Sequence, residues 1–392
     1  MSEPTRLAIL GAGPIGVEAA ARATADDRPF DVTVYEAGAI GEHVRRWSHV
    51  RLFSPWELNR SRWGRRRLGD EQPPDDDYPT GAEYLDRYLL PLADSLNEVQ
   101  FHLHTEVTDI SRDGVLKPEH IGDEQRTQAP FLLRADGPDG VRVDEADMII
   151  DATGVLDEPN PLGPGGLPAV GERELNGEIT RHIPDLGVER DDFANRRILV
   201  VGHGHSAVTT LDYLRKLRDD APETRIVWAF RAAGDPCTEI EDDPLPERAR
   251  LDRFGNTASR GEIEGIEPLP ETTVRSLERG TDGLQVRCET ADGTRTVEVD
   301  RIVANVGYRP DISLHRELQV HLCYATDGPM NLAATLMGAD SADCLDQTSG
   351  GIDTLRNPEP NFFILGAKSY GRNSNFLLSI GFEQIEMLFS EA

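Results

Sequence analysis

Residues 7–16 read LAILGAGPIG, and this stretch decides the fold. A short apolar run ends at Gly11, with Gly13 and Gly16 in GxGxxG spacing, and the following VEAAARAT reads as a helix. DVTVYE, residues 31–36, reads as a second strand ending in the carboxylate of Glu36. Each glycine has a task. Gly11 permits the tight turn, Gly13 lets the backbone approach a pyrophosphate, and Gly16 lets the helix pack on the strand. The helix start turns free N–H groups and a positive dipole end toward the anion. Glu36 falls where a carboxylate accepts hydrogen bonds from ribose hydroxyls. Strand, glycines, helix, strand and acid in that order are far more specific than the glycine spacing alone.

The chain uses the device twice. ILVVGHGHSAVTTL, residues 198–211, repeats it with Gly202, Gly204 and, in the third place, Ala207. His205 and Ser206 stand at the helix start and are further candidates to meet a pyrophosphate. RIVWAFR, residues 225–231, is the next strand. Aligned on DVTVYEA, it puts Phe230 where Glu36 sits, with Arg231 one residue later. A missing acid and an available arginine favour a 2′-phosphate, hence NADPH, with NADH as the alternative.

The bulk numbers bound the rest. A chain of 392 residues exceeds the usual single core, so two domains are expected. No apolar run approaches the roughly 18–20 residues of a membrane span, and MSEPTRLAIL has no signal-peptide pattern. The expectation is a cytoplasmic protein with no membrane partner. Net charge is −29, and the only lysines are Lys117, Lys216 and Lys368. The acid is spread along the chain, which suits a surface working in molar salt, a halophilic protein, and argues against nucleic-acid binding. Cys237, Cys288, Cys323 and Cys344 form no CxxC pair, and the ten histidines show no HExxH spacing, so no metal is expected. His102 and His104 alternate in FHLHTEV as if on one face of a strand.

Three later stretches extend the pattern: DMIIDATG at 147–154, IVANVGYRPD at 302–311 and FFILG at 362–366. With them the chain resembles the two-dinucleotide-binding flavoproteins, the group of the pyridine nucleotide-disulfide oxidoreductases and the flavin-containing monooxygenases. The resemblance implies an α/β fold of two Rossmann-like domains, FAD- and NAD(P)-binding, the second inserted into the first. The implied boundaries are 1–158 and 302–392 for the FAD domain and 159–301 for the NAD(P)H domain, with EPNPLGPGGLP (158–168) as linker. It implies FAD on Gly11, Gly13, Pro14, Ile15, Gly16, Glu36, Ala37, Val107, Ala152, Thr153, Gly154, Gly366, Ala367 and Asn375. It implies NADPH on Gly202, Gly204, His205, Ser206, Ala207 and Arg231. The family usually follows the last glycine with an Asp that reaches the ribityl chain, whereas Ala367 and Lys368 stand here.

Between residues 40 and 64, five arginines and several aromatics crowd IGEHVRRWSHVRLFSPWELNRSRWG. Arg45, Arg46 or Arg51 is expected on cofactor phosphates, and an aromatic such as Trp47 on the flavin. The competing reading is a surface loop packed on the core. Helices are expected over 80–96, capped by Thr80, and over 373–389, capped by Asn373 or Ser374. The resemblance implies hydride transfer from NADPH to FAD and onward to oxygen or a small-molecule acceptor, in monooxygenase fashion. A monooxygenase fingerprint before the second turn is missing from RDDFANRRILVV, and no catalytic side chain is singled out. A reductase without a local dithiol and a non-catalytic redox sensor are the alternatives. The partners expected are a small substrate or acceptor, with a homodimer open as the assembly.

Overall fold

The computed structural model describes residues 3–25, 30–69, 72–338 and 351–391. They form two compact units, Met1–Glu158 with Arg309–Ala392, and Pro159–Tyr308.

The first unit opens with strand β1 (Thr5–Leu10), helix α1 (Pro14–Ala23) and strand β2 (Phe30–Tyr35), followed by β3 (Gln100–His102). An antiparallel meander follows, β4 (Glu106–Arg112), β5 (Phe131–Gly137) and β6 (Gly140–Ala146), and then β7 (Met148–Asp151). Alternation along the strands explains the layers, because successive side chains point to opposite faces. Leu7, Ile9, Val32, Val34, Met148 and Ile150 pack with the alanine-rich side of α1. Ala8, Leu10, Tyr35 and Ile149 pack instead with Ile110, Phe131 and Leu133 of the meander. The strand at 100 stops early: His104 takes a left-handed φ of 52°, so it does not share a strand face with His102. Residues 81–95 are helical, with a wider π turn at Leu85–Leu89. Thr80 caps this helix as expected, its hydroxyl accepting the Glu83 N–H at 3.1 Å while Glu83 accepts the Thr80 N–H at 2.7 Å.

The second unit carries β8 (Ile179–Thr180), β9 (Arg197–Val201), helix α2 (His205–Leu217), β10 (Arg225–Ala229), helix α3 (Pro246–Ser259) and β11 (Ile266–Leu269). The meander β12 (Thr273–Gly280), β13 (Gly283–Thr290) and β14 (Gly293–Val299) leads into β15 (Arg301–Ala304). Its parallel sheet has the order β11-β10-β9-β15-β8. Ile302 and Val303 pair with Leu199 and Val200, so the break expected at 301/302 falls instead after Tyr308: the crossing strand is part of this sheet.

Back in the first unit, β16 (Phe362–Ile364) completes the parallel order β16-β7-β1-β2-β3, and helix α4 (Leu378–Glu391) closes the chain. This helix starts later than expected. The Asn373 side-chain Oδ1 accepts the Asn375 N–H at 2.9 Å, a local turn that competes with helix rather than capping it. Cys344 lies outside the described residues.

Candidate functional site

At the carboxyl edge of the first sheet, Ile364, Asp151, Leu10, Tyr35 and His102 stand in one row of the register. The residues after that row are the ones the sequence marked. Backbone bonds carry the ladder one step further: Gly11 N–H to Tyr35 O at 2.7 Å, Ala152 N–H to Leu10 O at 2.9 Å, Leu365 N–H to Asp151 O at 3.0 Å and Glu36 N–H to His102 O at 3.0 Å. The register thus brings the GAGPIG turn, the ATG turn, Gly366 and Glu36 to one sheet edge.

The glycines differ in what they are for. Gly11 has φ +94°, and a Cβ there would lie 2.7 Å from the Ala152 carbonyl oxygen. A Cβ on Gly16 would lie 1.9 Å from the Gly11 carbonyl oxygen, so helix and strand could not close up. Gly13 has no atom within 4 Å of a Cβ: its requirement comes from something other than the protein's own packing. Helix α1 begins at Pro14 with no acidic residue in its first turn. Pro14 has no N–H to waste, and Ile15 fills the space beneath Gly366 and Gly381. Glu36 bridges the turn, accepting the Ala12 N–H at 2.7 Å and the Gly38 N–H at 2.8 Å. Ala37 beside it is exposed, and Val107 packs against the meander face.

Behind the ATG turn lies a buried ionic group. Lys368 Nζ is 2.7 Å from Asp151 Oδ2, with side-chain exposures of 2% and 0%. Lys368 also donates to Thr153 Oγ1 at 2.9 Å, and the Thr153 hydroxyl donates to Asp151 Oδ1 at 2.7 Å. The Asp151 Oδ2 contact is ionic rather than a well-directed hydrogen bond. Burial pushes the Asp151 carboxyl up, but the Lys368 ammonium outweighs it and leaves the group below the usual carboxylate range. His315 is buried nearby with neither ring nitrogen hydrogen-bonded, and burial pushes it down to about 4, so it is neutral. Ala367 precedes this lysine, and Asn375 lies in the loop ahead of α4.

The second unit repeats the edge. Gly202 N–H donates to Ala229 O at 3.0 Å, Asn305 N–H to Val201 O at 2.9 Å and Phe230 N–H to Leu269 O at 3.0 Å. Gly202 has φ +120° and would place a Cβ 2.1 Å from the Asn305 carbonyl oxygen, while Gly204 has nothing within 4 Å. Ala207 is fully buried under β9, and Ser206 is exposed. The place of Glu36 is taken by Phe230, buried with its ring tilted 38° against Trp228 and the centroids 4.4 Å apart. Arg231 is exposed; burial pushes the His203 imidazole down, and the Arg231 charge adds to that shift. His205 is tied by Nε2 to Asp252 at 3.1 Å.

The arginine-aromatic stretch makes contacts of its own within the protein. Arg46 Nη1 donates to Asp157 at 2.7 Å, Arg45 to the Ile40 carbonyl and Arg51 to the Tyr78 carbonyl, so a protein acceptor already engages each of them. Trp47 packs on Gly81, where a Cβ would lie 2.7 Å from its ring, and Trp56 is 1% exposed in the core. The stretch is mainly a packed loop: arginines cap carbonyls and lie over tryptophan rings, as Arg60 does over Trp56 at 5.2 Å.

Two glycine turns, each at the carboxyl edge of a five-stranded parallel sheet, define a protein built to bind two dinucleotides. The chain belongs to the pyridine nucleotide-disulphide oxidoreductase family, whose model matches residues 97–328, and it is an oxidoreductase. No curated protein matches it. Among solved structures it is similar to the bacillithiol disulfide reductase Bdr of Bacillus cereus, at 19% identity and a TM-score of 0.70, covering 99% of this chain and 98% of that one. It is also similar to an ornithine N-hydroxylase of Kutzneria sp. 744, at 16% identity and 0.65 over 99% and 98%. A thioredoxin reductase of Lactococcus lactis aligns at 15% identity and 0.62 over 99% and 97%. These similarities establish the fold.

Proposed function

We propose that the protein is an NADPH-dependent FAD oxidoreductase that passes electrons to oxygen or a small-molecule acceptor in monooxygenase fashion. The observation that carries the assignment of the two nucleotides is the contrast between the two turns. The first offers a carboxylate, Glu36, to a ribose; the second buries Phe230 in that place and leaves Arg231 exposed for a 2′-phosphate. Gly13 and Gly204 fit the groups, because each leaves room for a pyrophosphate over a helix start. Bound FAD would supply two-electron redox chemistry between reduced nicotinamide and an acceptor. The first-unit residues proposed to hold it are Gly11, Gly13, Ile15, Gly16, Glu36, Ala152, Thr153, Gly154 and Gly366. Those proposed for NADPH are Gly202, Gly204, Ser206, Ala207 and Arg231.

A second reading, thiol-based reduction, has one observation in its favour. Hydrogen bonds from the Thr326 side chain and from the Ala325 and Thr326 backbone hold the Cys323 thiol below its ordinary value. Against it, burial pushes the thiols of Cys237 and Cys288 up to about 12 and about 11. Anaerobic stopped-flow of the FAD-reconstituted protein separates the two. The reading expects NADPH to bleach the flavin and air to reoxidise it in Cys323→Ser as in the native chain. Failure to bleach with NADPH or NADH would overturn it, and turnover that needs both a disulfide and Cys323 would favour the second.

A further inference from the structure

The second sheet has an amino edge opposite the one that carries its glycine turn, and four arginines meet there. Arg197 and Arg225 open β9 and β10, Arg218 follows α2, and Arg295 stands on β14. They line an open cavity of about 440 Å³, a size that suits a small ligand. Ile226, Val227 and Val297 give it an aliphatic surface, and two carboxylates, Glu267 and Glu298, share the wall. All of these residues belong to one unit. Arg197 is matched by Asp300 at 2.7 Å and Arg295 by Glu267 at 2.6 Å. Arg218 and Arg225 form no ion pair among the described residues. Arg218 donates to the Thr224 carbonyl, and the Arg225 side chain has no hydrogen-bond partner.

This arrangement costs the fold something. The chain holds 70 acidic residues against 41 Lys and Arg, so a counter-ion for an arginine is easily found, yet these two have none. Arg225 is the register partner of Arg197 on the adjacent strand, and like charges side by side on a sheet destabilise it. The Arg218 guanidinium is built into its place. Gly265 has φ +83°, and a Cβ there would lie 2.1 Å from the Arg218 Cζ, so the guanidinium rests on bare backbone. Two planar forks without counter-ions, beside an aliphatic surface, suit carboxylates carried on a carbon frame. We propose that this cavity binds a small organic di- or tricarboxylate, its carboxylates on Arg218 and Arg225 and its carbons against Ile226 and Val297. The glycine turn lies at the other end of β9, so the cavity is separate from the dinucleotide site.

Thermal melts with citrate test this, each set against KCl of the same ionic strength so that screening is common to both. Citrate should raise the native midpoint above the KCl reference. Inorganic phosphate, which has no carbon frame, should raise it less. Arg225→Gln should weaken citrate binding about tenfold or more. It should leave the citrate-free midpoint at the native value or above, because Arg225 has no protein partner to lose. Arg225→Lys should recover part of the binding. Arg231→Gln, at the nucleotide edge, should bind citrate as the native chain does. Independently of any variant, citrate should shift the methyl resonances of Ile226 and Ile266, which line the cavity, and leave those of Ile9 and Ile15 in place. Four results would overturn the proposal: a citrate midpoint equal to the KCl reference, an equal gain from phosphate, a gain that survives in Arg225→Gln or vanishes in Arg231→Gln, or methyl shifts at Ile9 and Ile15 alone. A citrate-free midpoint lowered in Arg225→Gln would likewise count against it, since that is what an arginine with a purely structural role would show.

Discussion

Replacing Lys368 by methionine removes the ammonium facing Asp151 and leaves a carboxylate at 0% exposure with Thr153 as its remaining partner. Breaking a buried pair from one side costs about 3–5 kcal/mol. The variant has one escape, which is to protonate Asp151. Relative to an unfolded carboxyl near about 3.9, that costs about 1.4 kcal/mol per pH unit, so the penalty is capped near about 4 kcal/mol at pH 7 and about 1.5 kcal/mol at pH 5. The sign follows from the two chains. In the native protein the Asp151 carboxyl is depressed, so its contribution is present above the ordinary carboxylate range and is lost only as the pH falls through that range. In the variant it is raised, so stability drops as pH rises. The gap must therefore widen with pH. Urea unfolding read by tryptophan fluorescence suits this, since Trp47, Trp56 and Trp63 all lie in the affected unit. Asp151→Asn combined with Lys368→Met should recover most of the loss. A gap under about 1 kcal/mol at pH 7, or one equal at both pH values, would refute the reasoning.

Gly13→Ala and Gly204→Ala should leave stability within about 0.5 kcal/mol yet weaken FAD and NADPH binding respectively about tenfold or more, whereas Gly16→Ala should cost at least the ~1–3 kcal/mol of an overpacked core; thermal melts and flavin titration read both. Arg231→Gln should raise the KM for NADPH roughly 10–100-fold, the loss of one charged hydrogen bond, and leave NADH unchanged; equal effects on the two would remove Arg231 from the site. Glu18 is buried on α1 against Ser61 and Tyr88, and burial raises its carboxyl, so stability is lost as pH rises past the ordinary carboxylate range. Glu18→Gln should accordingly match or exceed the native protein at pH 8, by about 1 kcal/mol, and lose that advantage toward pH 5; urea midpoints check it. With a net charge of −29, the thermal midpoint should climb as KCl rises to molar levels, and a flat or falling midpoint would count against a high-salt protein.

The parts legible in the sequence were those whose requirement is local. Gly11, Gly16 and Gly202 answer to backbone within a turn or a neighbouring strand, and Glu36 ends a strand whose period is plain. The crossing strands were legible as apolar runs, although the run at 302 does not say which sheet it joins; pairing with Leu199 and Val200 decides that. What stayed hidden is made by long-range closure. His43 meets Asp157 across 114 residues and Lys368 meets Thr153 across 215. Nothing in the neighbourhood of Arg46, read as a phosphate ligand, discloses its partner Asp157. Lys368 did leave a signal: it is one of three lysines, and it sits inside the apolar stretch FFILGAKSY where a lone charge calls for a buried counter-ion. The start of α4 was misplaced because Asn373 is as good at making a local turn as at capping.

The burial of Lys368 also makes the protein its own stopwatch. Lys117 and Lys216 are exposed, so an amine-selective acylating reagent will mark them at once. The third lysine can react only while the ATG edge is open. Its labelling rate, set against that of the exposed pair, measures how often this one edge opens, and a nucleotide that seats there will slow the clock.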